Sequence, residues 1–472
     1  QRSPCAVSAM LRAAVILAAL LQSDGLERVV LVSRHGERAR LSKDALTQEE
    51  QGAFGGPLLT AAGAAAEKAV GQALRKRYTR PGGCIERCLN GQIGNGNYTQ
   101  AEVHTESSGL ARTLQSAYAL HAGLFPVGSV PSREPGVYVP VPVYSRRTGE
   151  DFILRGYTMC TAQARNLEAW HSSEEFLAKS SETKAFRSRM ADVLGKVNIS
   201  EDGTAAPLAD WWNIYDELAV RSQAPSGGVV NSSDLQEAEG LAAWLEAMKF
   251  GPKLAGNRCG GALLYQVGQR LLDDAQYPDL RLSHFSAHYA TMLCLLAALG
   301  VPDYTAKESW IRSELLGLSS VLAFELSEIA GEDVIGLYYW PGTASGSGSP
   351  WRNVPLPCIS GRCTRKQFQS IVSVRGFGSL KAWCVACDNF ELQLCGAPVA
   401  PVAAEPHAPQ WDLPAVVFVF LGVGASAFLA AGCYAFRKSF RSCFFSEEES
   451  RSMMADHGRS SAIGACSPAV SL

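Results

Sequence analysis

Residues 26–40 read LERVVLVSRHGERAR, a short apolar run that stops at a histidine with an arginine on either side. The alternation-free run Val29, Val30, Leu31, Val32 predicts a buried strand bounded by polar residues. His35 then falls just past the strand's C-terminal end, where open α/β sheets place their ligands. Arg34 and Arg38 bring two permanent cations to the imidazole, and their forked guanidinium groups match the oxygens of a phosphate. Nearby cations also disfavour imidazolium. The neutral ring keeps a nitrogen lone pair that can attack phosphorus in mildly acidic water.

Working outward, RHGER resembles the RHGxRxP signature of the histidine acid phosphatases, with Arg40 in place of the proline. Further matches follow in the family's order: LLTAAG and GQALRKRY (58–63, 71–78), RTLQSA and AGLFP (112–117, 122–126), RCGGALL around Gly260 and Gly261, SAHYATMLCLLAALG (286–300) and VPLPCISGRC (354–363). The resemblance implies that His35 is the nucleophile, that Arg34 and Arg38 hold the phosphate, and that His288 helps to bind it. It also implies a disulfide between Cys358 and Cys363, and a partner for Cys160 near the domain's end, namely Cys395. Two departures fall on chemistry-bearing positions. Where the family has His-Asp, this chain has His288 followed by Tyr289. The family's aspartate protonates the leaving group, and a phenol with a pKa of about 10 is a reluctant substitute. Six residues before Arg112, where the family has another phosphate-binding arginine, stands Glu106; a two-residue gap would instead place His104 there.

The 472 residues, 47% of them hydrophobic with a formal net charge of −2, can bury a large core and carry no bias toward nucleic acid. Of fourteen cysteines, ten lie between Cys84 and Cys395, a distribution suited to an oxidising lumen. Glycosylation sequons at Asn97, Asn198 and Asn231 point the same way. Cys84 and Cys88 could pair locally or be helical neighbours. Cys384 and Cys387 form a CxxC without a second one to complete a zinc site, which favours disulfide bonding.

Near the N-terminus a charged start at Arg12 and the apolar run 13–21 make residues 1–25 a signal region. Residues 61–78 predict an amphipathic helix. From about 161 to 277 the helical spacing of apolar residues predicts a mainly helical cap, whose Trp170, Trp211, Trp212 and Trp244 are expected mostly as packing. A short strand over 280–285 should lead to His288 and a helix over 290–299. His284 and His288 could hold zinc from one helix face, but the pattern lacks a glutamate and a third ligand; His284 reads as structural. The segment 321–340 predicts a hairpin around 330–333. Residues 398–412 read as a stalk, and 413–436 as an uncharged membrane span of 24 residues. Arg437, Lys438 and Arg441 follow, which puts the disordered tail 437–472 in the cytosol and residues 26–397 in a lumen or outside.

The expected fold is α/β, a mixed, mainly parallel sheet flanked by helices with a helical cap, plus one transmembrane helix. The expected activity is hydrolysis of a small phosphomonoester through phosphohistidine, without cofactor or metal. Tyr289 and Glu106 motivate a different class, a glycosylated membrane receptor or endosomal cargo protein that binds phosphate without turnover. A phosphatase for inositol phosphates is a third reading that the near-neutral composition does not support.

Overall fold

The computed structural model describes residues 25–396, except 40–55, 86–87, 132–133, 135, 195–206, 223–229, 302–315, 343–350, 359 and 391. The signal region up to residue 24, Asn198, the stalk, the span at 413–436 and the tail lie outside the described residues. Among those described, no helix is long and apolar enough to cross a membrane.

The opening stretch forms β1 (Leu26–Arg34) at the centre of the sheet. Its run is continuously apolar because both faces are covered. Val30 and Val32 face one core; Leu26, Val29 and Leu31 face the other. The second core is closed by α1 (Ala61–Tyr78) through Val70, Leu74 and Tyr78, and by α2 (Ala111–Leu124) through Leu120 and Leu124. Across the sheet lie α8 (Gly261–Leu272), α9 (Tyr289–Leu299) and α10 (Arg365–Arg375), contributing Leu263, Val267, Leu293 and Phe368.

Strand order is β3-β2-β4-β1-β5-β6-β7, with β8 (Cys363–Thr364) paired to β6. Here β2 is Val103–Ser107, β3 Tyr144–Ser145, β4 Leu282–Ala287, β5 Val321–Ile329, β6 Glu332–Trp340 and β7 Arg352–Val354. Parallel pairing is confined to β3-β2-β4-β1, and β1 meets β5 antiparallel. The sheet is therefore more evenly mixed than the expected mainly parallel one. The long β5–β6 hairpin accounts for the difference, its turn made by Ala330 and Gly331 with φ of 52° and 81°. Since β1, β2 and β4 run the same way, their C-terminal ends bring residues 34–38, 107–112 and 287–289 to one edge.

Between α2 and α8 comes the helical cap: α3 (Thr161–His171), α4 (Glu174–Glu182), α5 (Lys184–Val193), α6 (Trp211–Ser222) and α7 (Ser232–Phe250). Trp170, Trp211 and Trp244 pack in its own apolar cluster. Trp212 also reaches Tyr289, ring centroids 4.5 Å apart.

All ten cysteines from Cys84 to Cys395 are paired: Cys84–Cys88, Cys160–Cys387, Cys259–Cys294, Cys358–Cys363 and Cys384–Cys395. Cys358–Cys363 matches the expectation, whereas the pairing of Cys160 with Cys395 is corrected. Helix α11 (Leu380–Cys387) packs against the start of α3, where Asn389 also accepts hydrogen bonds from Thr161. That brings Cys387 within 4.8 Å of Cys160, Cα to Cα, and Cys395 folds back onto Cys384. The CxxC cysteines thus take different partners. Asn97 and Asn231 are exposed; Asn231 also caps α7, accepting from the Asp234 N–H at 2.8 Å.

Candidate active site

The loop after β1 is pinned through its backbone. The His35 N–H donates to the Ala287 carbonyl (3.1 Å), the Ser319 N–H donates to the His35 carbonyl (3.2 Å), and the Gly36 N–H donates to the Ser116 hydroxyl (3.0 Å). From the other side α1 presses in at Gly63, where a Cβ would lie 2.2 Å from the Glu37 carbonyl, so any larger residue would displace the loop. The buried His35 ring closes on its own chain, with Nδ1 2.8 Å from the Gly36 carbonyl. A carbonyl only accepts, so Nδ1 carries the proton and Nε2 keeps its lone pair.

His35 and His288 face each other edge to face, centroids 5.4 Å apart. His288 sits at the N-terminus of α9, its Nε2 2.9 Å from the Ser108 hydroxyl. Burial, first, and then the charges of surrounding groups hold both imidazoles well below their ordinary pKa. For His35 these are Arg112, His288, Arg34 and Arg38; for His288 they are Arg112, Arg155, Arg34 and Arg38. Thus the edge gathers His35, His288, Arg34 and Arg38, as the sequence predicts. It adds two buried arginines that the reading missed. Arg112 stood in view inside RTLQSA, at the start of α2; Arg155 lies in an irregular segment without periodicity to mark it.

Glu106 and His104 go elsewhere. Both side chains project from β2 away from Thr105 and Ser107, and Glu106 is held by His104 (3.1 Å), Arg270 (2.9 Å) and Arg146 (3.8 Å). These partners keep its carboxyl below the usual range despite burial. His104 stacks on Tyr144 at 5.3 Å. Neither is among the groups whose charge acts most strongly on His35 or His288.

On the cap side, the Arg34 guanidinium lies over the Tyr289 ring, 5.2 Å from its centroid, and Nη1 donates to the Leu316 carbonyl. The Tyr289 hydroxyl points into the cap, donating to Glu246 Oε2 of α7 at 2.6 Å. Burial and that carboxylate push the phenol well above its ordinary pKa. Nη2 of Arg38 donates to both carboxylate oxygens of Asp216 of α6, at 3.1 and 3.2 Å. Asp216 and Glu246 had no sequence signal. His284, as expected of a structural histidine, is buried between Ser33 (2.8 Å) and His121 (3.3 Å).

Lysosomal acid phosphatases are similar along most of the chain: that of Bos taurus is 28% identical over 359 residues, covering 74% of this chain and 77% of its own, and that of Homo sapiens is 27% identical over 354 residues, covering 72% and 75%. Among solved structures, the phytase from Citrobacter braakii superposes with a TM-score of 0.52 at 15% identity, covering 75% of this chain and 98% of the phytase, which establishes likeness of fold. Residues 25–334 match the model of the histidine phosphatase superfamily (branch 2), and the chain belongs to that family.

Proposed function

We propose that the protein hydrolyses phosphomonoesters through a phosphohistidine at His35, with a weakened proton-donor position. Family membership supports phosphomonoester hydrolysis at the coarse level. The observation that carries the finer reading is the His35 ring: Nδ1–H is engaged by Gly36, leaving Nε2 lone-paired in a setting charged by three arginines, Arg112, Arg34 and Arg38, with His288 beside it. In the first step Nε2 attacks phosphorus and the ester P–O bond breaks. Arg34 and Arg38 neutralise the charge on the phosphoryl oxygens, with the neutral His288 ring beside them. Water then attacks phosphorus, the N–P bond breaks, and inorganic phosphate leaves.

Tyr289 occupies the donor position, and its proton is committed to Glu246. A missing general acid costs about 10² to 10⁴ in rate. Leaving groups that need little protonation, such as phenolates, should therefore be preferred over alkoxides. Equal rates on aryl and alkyl phosphates at saturation, with chemistry rate-limiting, would contradict this.

The proposed topology is type I: a signal region at 1–25, a lumenal or extracellular domain over 26–397 glycosylated at Asn97, Asn198 and Asn231, a stalk, a span at 413–436 and a cytosolic tail. The likeness to lysosomal enzymes supports a lumenal setting. Hydrolysis of p-nitrophenyl phosphate from pH 4 to 8 by the full-length chain, beside His35→Ala, tests the activity. Turnover lost in the variant is expected; equal rates from two folded proteins would contradict it.

The second reading, a phosphate-binding pseudophosphatase acting as a membrane receptor or endosomal cargo protein, is favoured by two contacts: Tyr289 to Glu246, and Arg38 to Asp216. Binding of inorganic phosphate without turnover would select it.

A further inference from the structure

Beneath the histidine loop lies a carboxyl that the proposed chemistry does not use. Glu67 is one turn beyond Gly63 on the same face of α1, and it is fully buried. It abuts the loop directly: a Cβ on Gly36 would lie 3.1 Å from Glu67 Cγ. Its carboxyl lies against the hydroxyls of Ser116 and Ser319, without a well-aligned hydrogen bond to either. Those two serines are the ones that grip the nucleophile's backbone. Ser116 accepts from the Gly36 N–H, and Ser319 donates its own N–H to the His35 carbonyl. Ser319 itself is held at φ 60°, in the left-handed region that a non-glycine residue occupies only when its surroundings enforce it.

A buried carboxylate with no cationic partner would be costly, and a side chain that served only to fill space would more economically be apolar. Burial pushes the Glu67 carboxyl up to about 8, so it is a neutral acid able to donate as well as accept. The contacts run from Glu67 to Ser116 to the Gly36 N–H, from Glu67 to Ser319 to the His35 carbonyl, and back from the Gly36 carbonyl to His35 Nδ1. Both polar ends of the His35–Gly36 peptide group, its carbonyl and its N–H, are therefore held by serines that rest against one carboxyl.

We propose that Glu67 is a positioning residue for the nucleophile, bracing Ser116 and Ser319 so that His35 Nε2 stays on the line of attack. The proposal rests on the reading of His35 as nucleophile. Substrate phosphate is gripped by the arginines, which Glu67 does not touch, so loss of the brace should lower the chemical step and spare binding. A displacement of about 1 Å at a reacting group costs on the order of 10²-fold.

The test compares the full-length chain with Glu67→Ala, Glu67→Leu and Glu67→Gln on p-nitrophenyl phosphate, with His35→Ala alongside. Expected are a fall in kcat of about 10- to 100-fold for alanine and leucine with KM within about threefold, and near-complete rescue by glutamine, the neutral hydrogen-bonding isostere. Leucine keeps the volume, so it carries the test if alanine fails to fold. Leucine at the wild-type kcat would overturn the proposal, because filling space would then suffice. So would glutamine as impaired as leucine, or a loss confined to KM. Wild-type turnover that is insensitive to His35→Ala would instead overturn the nucleophile reading, a result distinct from an intact His35 dependence with an indifferent Glu67.

Discussion

The two walls of the pocket differ in kind. The sheet edge offers cations and imidazoles: Arg34, His35, Arg112 and His288, arranged by strand ends and helix starts. The cap offers carboxylates and aromatic rings: Asp216 on Arg38, Glu246 on Tyr289, Trp212 against the same tyrosine. The sheet wall suits a phosphoryl group. The cap wall satisfies the site's hydrogen-bonding groups from within, so a substrate must compete for Arg38 and finds no ready proton at Tyr289. On this account binding and nucleophilic attack belong to one wall, while the deficit belongs to the other.

Changing Tyr289, at the proposed donor position, should have the largest effect. Tyr289→Asp combined with Glu246→Gln, which removes the like charge the new carboxyl would meet, should raise kcat on alkyl phosphates by about 10- to 100-fold and on aryl phosphates much less. An equal gain on both substrate classes would break the division between walls.

Stability against pH probes the sheet side. His35, His121, His284 and His288 are buried and neutral, His121 being pushed down to about 3. The unfolded chain takes up their protons below about pH 6.5 and the folded one does not, so each subtracts up to about 1.4 kcal/mol per pH unit as pH falls through that value. Glu67, raised to about 8, and Asp151, raised to about 6, act oppositely: folded they keep a proton that the unfolded chain has lost, so their contribution fades as pH rises from about 4 toward those values. Four imidazoles outweigh two carboxyls. Urea unfolding should show stability falling from pH 6.5 to 5, and Glu67→Gln should steepen the fall by removing one opposing group. A flat profile in wild type would mean these histidines are not held neutral.

A smaller effect is expected where the cap pairs with the phosphate side. Asp216→Asn should free Arg38 and tighten competitive inhibition by inorganic phosphate by about threefold to tenfold. Weaker inhibition would show that Asp216 orients Arg38 for phosphate rather than competing with it. The smallest is at Glu106, which is bound to Arg270, Arg146 and His104. Glu106→Arg should leave phosphate inhibition unchanged while lowering thermal stability, because it sets a cation against Arg270. Tightened inhibition would return Glu106 to the pocket.

The sheet wall was legible because its chemistry is local in sequence. A strand that ends in RHGER shows its own polarity, and the helix after His288 and the hairpin at 321–340 show period and turn. The cap wall was illegible for the opposite reason. Asp216 and Glu246 sit on amphipathic helices among many similar acids, and only the packing of α6 and α7 aims them at Arg38 and Tyr289. Arg155 is likewise delivered by irregular backbone. The disulfide of Cys160 turned on which cysteine of a crowded C-terminal segment the fold brings within reach, and spacing alone does not encode that.

The central claim is that His35 Nε2 becomes covalently phosphorylated. Rapid quenching of the full-length chain with an aryl phosphate, under alkaline conditions that preserve phosphohistidine, followed by peptide mapping, tests it directly. The account predicts phosphate on the peptide carrying His35, formed no more slowly than phosphate is released and absent in His35→Ala. Turnover without any phosphorylated His35, or label on a different residue, would contradict it.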